Sequence, residues 1–196
     1  MKMGKKESDA TKNLELSPGE ISLTGGDELF FNEDVISFYE GILMNWKPPH
    51  KPLALYMGCT HHKPFSKSFM HRKVIGMIES HDLQKIVQQY IVSEPLAICP
   101  RELERIYPAA NYDFPPEKLT SRGRKIFIYR LRKFLLKSTE YHLYHIGFVP
   151  NHHRSILKEA SEKIINPTFV PYNIYYLPKL LKRLEEIIGT VDSNGE

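Results

Sequence analysis

The chain has little of what marks secreted, disulfide-built or membrane proteins. Only two cysteines, Cys59 and Cys99, occur in 196 residues. That is too few for a disulfide framework, and a reducing compartment keeps such residues as thiols. Nor does either have a second cysteine at the spacing of a structural zinc site. The longest apolar runs, such as Leu53 to Met57, fall far short of the roughly 20 residues a membrane span needs. The N-terminus has no apolar signal core. These absences together predict a cytoplasmic protein without membrane contact. With 41% hydrophobic residues, the chain can build one well-buried core, and it is too short for two ordinary domains.

Charge is modest overall and unevenly spread. The formal net charge is +4, yet residues 101 to 137 alone hold ten Lys/Arg against four Asp/Glu. A concentration of positive charge on one element suits a phosphate-bearing partner, and it equally suits a solvated helix face. Within it, Arg122, Arg124, Lys125, Arg130 and Lys133 fall on one predicted helix and are the candidates for nucleic-acid contact.

Residues 1 to 26 are rich in Lys, Ser, Thr, Gly and Glu without a sustained apolar period, which predicts a flexible leader. Residues 27 to 196 form the single α/β domain. Apolar residues at helical spacing from Asp34 to Trp46 stop before Pro48 and Pro49, which cannot continue a helix. Leu53 to Met57 reads as a strand buried on both faces. A polar loop follows, then a short helix over 71–78, a strand over 85–92 and a helical turn over 100–106, where Pro100 presets the first helical φ. The basic helix occupies 120–136, an aromatic strand 141–147, a helix 152–164 capped by Asn151, a fourth strand 169–174 and an amphipathic helix 177–188. Strands alternating with helices predict an α/β three-layer sandwich around a mainly parallel, four-stranded sheet. In such sheets ligands bind beyond the carboxyl ends of the strands. The loop Gly58-Cys59-Thr60-His61-His62-Lys63-Pro64-Phe65-Ser66 is therefore the predicted site.

Cys59 in that loop has a helix N-terminus and His61, His62, Lys63 and His71 nearby in sequence, a setting that favours the reactive thiolate. A small buried hydrophobe is the alternative reading of a cysteine. Cys59, His61, His62 and His71, with Cys99 more distant, also offer a zinc set, but the missing cysteine pairs predict no metal and no cofactor. His142, His145, His152 and His153 form a second group. Strand alternation puts His142 and His145 on opposite faces, so these four read as packed or surface residues. Asp113, in a loop, can orient an amine or act as a base, or simply cap its turn.

The pattern Cys59-x3-Lys63-Pro64-Phe65-x2-Ser68-x2-His71 resembles the signature Cys-x3-Lys-Pro-Tyr-x2-Ser-x2-His of archaeal archaeosine synthases, which are related to the tRNA-guanine transglycosylases. Val92 to Leu96, Pro100 to Glu104 and Tyr107 to Asp113 resemble the segments that follow in that family. The resemblance covers about residues 50 to 160. It implies a uracil-DNA-glycosylase-like fold and attachment of lysine to the nitrile of 7-cyano-7-deazaguanine in tRNA. Partners implied are tRNA, a chain supplying an RNA-binding (PUA-like) domain, and a radical enzyme acting next. A thiolate adds to a nitrile to give a thioimide, which an amine converts to an amidine. The resemblance assigns Cys59 as nucleophile, Lys63 or His71 as proton donor and Asp113 as the group that receives the amine. Thr60, His62, Pro64, Phe65, Ser66, Ser68, Glu94, Asn111 and Tyr112 are its implied substrate contacts. Two residues depart from the family pattern, Gly58 for Pro and Phe65 for Tyr, and the chain has no room for a transglycosylase-like portion or an RNA-binding barrel. Competing expectations are a non-catalytic tRNA-binding subunit of a split enzyme and a glycosylase-like base-excision protein. The second lacks an Asp in the first loop.

Overall fold

A computed structural model describes residues 16–193. Its elements in chain order are β1 (Leu23–Thr24), α1 (Glu33–Met44), β2 (Leu53–Gly58), α2 (Phe69–Ser80), β3 (Val87–Ser93), β4 (Ala97–Pro100), β5 (Tyr112–Asp113), α3 (Ser121–Ser138), β6 (Tyr144–Phe148), α4 (Asn151–Ser161), β7 (Thr168–Phe169) and α5 (Leu177–Ser193).

All six residues of β2 are buried, as the unbroken apolar run requires, and β2 sits at the centre of a sheet ordered β4-β3-β2-β6-β7. The pairs β2·β3, β2·β6 and β6·β7 are parallel. Alternation along β2 divides the core. Ala54 and Tyr56 pack with Tyr39, Phe127, Phe134 and Leu157 of α1, α3 and α4. Leu53, Leu55 and Met57 pack with Val74 and Ile78 of α2 and with Leu180 and Leu184 of α5. Helices on both faces make the expected three-layer α/β sandwich.

The sheet has five strands where the sequence predicts four. The added strand, β4, runs antiparallel to β3 and escapes a pattern reading because it is only four residues long and all buried. The last strand ends at Phe169, since Pro171 has no backbone N–H to extend a ladder. From Leu16 onward the expected leader is bound to the domain. Leu23 and Thr24 pair with Tyr112 and Asp113, and Gly19 N–H donates to Ala110 O. The part of that leader over residues 1–15 lies outside the described residues. Asn151 is the first residue of α4 and makes no capping hydrogen bond. His142 and His145 face the same side, their rings 6.4 Å apart, because His142 precedes β6 and strand alternation does not reach it.

Much of the positive charge on α3 is spent on the fold. Lys137 Nζ donates to Ile42 O and Leu43 O at 2.8 Å, and also to Trp46 O, closing the C-terminal end of α1. Arg130 donates to Phe30 O at 2.7 Å and lies over the Phe30 and Tyr39 rings. Arg124 pairs with Glu159 at 2.6 Å. Of the predicted nucleic-acid contacts, Arg122, Lys125 and Lys133 are solvent-exposed, whereas Arg130 is turned inward.

Candidate active site

Three chemically active side chains follow the carboxyl ends of three adjacent parallel strands. Cys59 is the residue after β2, Glu94 the residue after β3, and His153 lies in the first turn of α4, which follows β6. The chain leaves β2 through α2 on one face of the sheet and leaves β6 through α4 on the other, which opens a crevice at this edge. Cys59 Sγ lies 3.5 Å from Glu94 Oε2 and 3.8 Å from His153 Nε2. His153 Nε2 is 2.9 Å from Glu94 Oε2.

The Glu94 and His153 side chains are each only 1% exposed, while Cys59 is half-buried. Burial opposes charge on His153, but the Glu94 carboxylate and the Cys59 sulfur overcome it and raise its pKa to about 10. Burial likewise opposes charge on Glu94, yet His153 holds it below the usual carboxylate range. The pair is thus an imidazolium and a carboxylate at neutral pH. Glu94 Oε1 and His153 Nδ1 are buried without a hydrogen-bond partner among the described residues.

The sulfur opens onto a cavity of about 360 Å³ lined by Cys59, Thr60, Lys63, Tyr112, Asp113 and His152, among others. Lys63 is buried, its Nζ donating to Thr60 O at 2.7 Å and lying 4.4 Å from the Tyr112 ring centroid. Desolvation lowers its pKa, against the pull of Cys59, Asp113 and Glu94, which makes it a readier proton donor near neutral pH. Asp113 lies 3.3 Å from His61 Nδ1. The Tyr112 hydroxyl hydrogen-bonds Ser93 Oγ. Larger cavities occur elsewhere, such as one of about 540 Å³ lined by His142, Tyr144 and His145, among others, with no cysteine in its lining.

The remaining loop residues build the frame. Ser68 caps α2 by accepting from His71 N–H. His71 is fully buried; Arg101, which can only donate, approaches its Nδ1 at 2.7 Å, so Nε2 carries the proton and donates to Gly58 O at 2.9 Å. Burial, with Arg101 adding to it, depresses its pKa to about 3. A neutral ring whose only N–H is already given to Gly58 holds the loop in place and has no proton to supply. Phe65 is buried and stacks on that ring. Pro64 is buried, Ser66 N–H donates to Glu104 at 3.0 Å, and His62 is exposed. Asn111 Nδ2 donates to Ser17 O and Glu20 O, tethering the N-terminal segment. Cys99 is fully buried, and burial pushes its thiol pKa up. It takes no part in the Cys59 cluster, and neither do His61, His62 and His71, the other members of the zinc set that the sequence offered. His153 is the residue that sequence reasoning missed; its place one turn after an aromatic strand, at a second strand end, was the available signal.

Fold and site define an α/β sandwich with a cysteine-centred site beyond its parallel strand ends. The family described as "Domain of unknown function (DUF5591)" matches residues 35–185, and the chain belongs to it. The chain is similar to archaeosine synthase subunit alpha of Thermoplasma acidophilum, 32% identical over 86% of this chain and 31% of that protein. It is 31% identical to the subunit of the same name from Methanosarcina acetivorans, over 67% of this chain and 20% of that protein. Archaeosine synthase of Methanocaldococcus jannaschii is 27% identical over 74% of this chain and 26% of that protein. The chain thus spans between a fifth and a third of the length of these relatives. Among solved structures, that of AF0587, a protein of unknown function, shares the fold with a TM-score of 0.58 and 20% identity, over 77% of this chain and 49% of that one. No helix among the described residues is long and apolar enough to cross a membrane.

Proposed function

We propose that this chain carries the amine-transfer step of archaeosine formation, joining lysine to the nitrile of 7-cyano-7-deazaguanine in tRNA. The observation that carries the reading is a half-buried cysteine thiol, set against a buried imidazolium–carboxylate pair, at the mouth of a cavity that also holds an ammonium and a carboxylate. The thiol adds across the nitrile: the S–C bond forms, one C–N π bond opens, and the nitrogen ends with the proton the thiol gives up. Glu94 accepts the S–H, and Lys63, with its lowered pKa, is the donor for the nitrogen. The amine then attacks the same carbon, the C–S bond breaks, and the product is an amidine with the thiol restored. No oxidant or reductant enters. Asp113 receives the amine, and Tyr112 forms a wall of the pocket. A cavity of about 360 Å³ is within the range that takes a single small-molecule-sized group, here an extruded base.

The relatives are three to five times longer than the stretch they share with this chain. Holding the body of the tRNA falls in this reading to a partner chain with a PUA-like RNA-binding domain, the kind of partner that the resemblance implies. A radical enzyme then releases archaeosine. The test is nucleoside mass spectrometry of tRNA carrying the nitrile base after incubation with lysine and the protein, with and without such a partner. A lysine-sized mass gain that Cys59→Ala abolishes, in a variant that still folds, is the expected result. Full activity in that variant refutes the covalent route. No gain under any condition, with salt-sensitive tRNA binding that survives Cys59→Ala, makes the chain a binding subunit instead.

A further inference from the structure

The three groups at the strand ends converge in a way that a hydrogen-bonded catalytic relay does not. In a relay, the carboxylate orients one imidazole nitrogen and the nucleophile meets the other. Here Cys59 Sγ and Glu94 Oε2 both approach His153 Nε2, and Nδ1 has no partner among the described residues. Thiolate, carboxylate and neutral imidazole are each zinc ligands, so a cation that binds here displaces the thiol proton of Cys59 and the proton that His153 holds against Glu94, both of which pass to solvent. Their atoms form a triangle with edges of 3.5, 3.8 and 2.9 Å. Zinc bonds of about 2.3 Å to sulfur and about 2.0–2.1 Å to nitrogen and oxygen, at tetrahedral angles, give ligand separations of about 3.3–3.6 Å. The triangle already stands within roughly 0.4 Å of those values, on three strand ends fixed by one sheet.

We propose that Cys59, Glu94 and His153 form a site for a soft divalent cation, zinc foremost, with the fourth coordination position facing the cavity. The site is distinct from the set of loop histidines that the sequence offered. It uses no residue from the exposed tip of the loop, and each ligand comes from a different strand connection. Cys59 is the one ligand that the cavity exposes, so entry is from that side, and a bound cation leaves the sulfur unable to attack a nitrile. In the proposed reaction, bound zinc thereby competes with the nitrile for the sulfur. Three protein ligands with one open position is also the arrangement of catalytic zinc sites, as opposed to closed structural ones.

The experiment is titration of chelator-treated, reduced protein with zinc by calorimetry and with cobalt by absorption, in the absence of tRNA and lysine. One cation per chain and a cobalt–thiolate charge-transfer band are expected. Cys59→Ala leaves the Glu94–His153 pair intact and should remain folded. It should lose the band and weaken zinc by more than the roughly 10–100-fold that loss of an outer-shell partner costs. Cys99→Ala should bind like the parent. Equal affinity in parent and Cys59→Ala, or no binding by folded parent, overturns the assignment. Since neither readout involves turnover, failure of the amine-transfer reading leaves this result untouched, and the reverse also holds.

Discussion

The Glu94–His153 pair makes a quantitative claim about stability. At 2.9 Å, two opposite charges attract by about 6 kcal/mol at an effective dielectric constant of 20. Desolvating each ion costs several kcal/mol, so the net worth of the intact pair is far smaller than the attraction. Removing one partner is another matter, since it strands a buried charge. Glu94→Gln and His153→Ala are each expected to cost about 3–5 kcal/mol, read by urea denaturation at pH 6.5. The double variant should lose clearly less than the two singles combined, because no lone charge is left. The pH dependence has a defined sign. A folded His153 pKa near 10, above its ordinary value of 6.5, means that its contribution is fully present below pH 6.5 and is lost as pH rises toward 10. Glu94, with its pKa depressed below 4.5, contributes above pH 4.5 and loses that contribution as pH falls. Stability from the pair therefore peaks between about pH 4.5 and 6.5, and the decline above pH 6.5 should flatten in Glu94→Gln. Additive losses in the cycle, or an unchanged alkaline slope, would refute a charged pair.

Lys137 closes the end of α1 with bonds to three carbonyls, so Lys137→Met should cost about 2 kcal/mol in denaturant midpoint analysis while leaving cation binding at Cys59 unchanged. A Cβ at Gly58 would meet Pro150 Cδ and lie 2.8 Å from His153 Nδ1. Gly58→Ala is accordingly expected to cost about 1–3 kcal/mol by overpacking. By pushing the start of α4 away, it should also weaken cobalt binding, and full retention of both stability and binding would contradict the close approach.

The central strand and the layer arrangement were legible because Leu53 to Met57 is apolar without interruption, a signature that few alternatives share. The loop after it could be singled out as a candidate because ligands bind beyond the carboxyl ends of parallel strands, and because of its motif. What the sequence hid was the third dimension of that rule. Cys59, Glu94 and His153 are separated by 35 and 59 residues, and no local period encodes which strand ends are neighbours. Glu94 was reached through a motif, but His153 read as a packed or surface residue because nothing in its own segment shows that it meets the ends of β2 and β3. The basic helix misled in the other direction: charge counted along the chain cannot tell Arg130 and Lys137, which each donate to backbone carbonyls, from Lys125 and Lys133, which face solvent.

Placement of the Cys59 sulfur follows from one small residue and one buried ring. His71 grips Gly58 O from the α2 side, with Arg101 behind it, while the absent side chain of Gly58 lets Pro150 and His153 close in from the α4 side. Gly58 is thereby held between the two helical layers at the point where β2 ends, and Cys59, the next residue, has little freedom over where its sulfur points. Gly58, one of the two departures from the family pattern, is in packing terms what admits His153 to the site. His71 is then best understood as the residue that fixes the sulfur's position, and in the proposed reaction the proton transfers fall to Glu94 and Lys63.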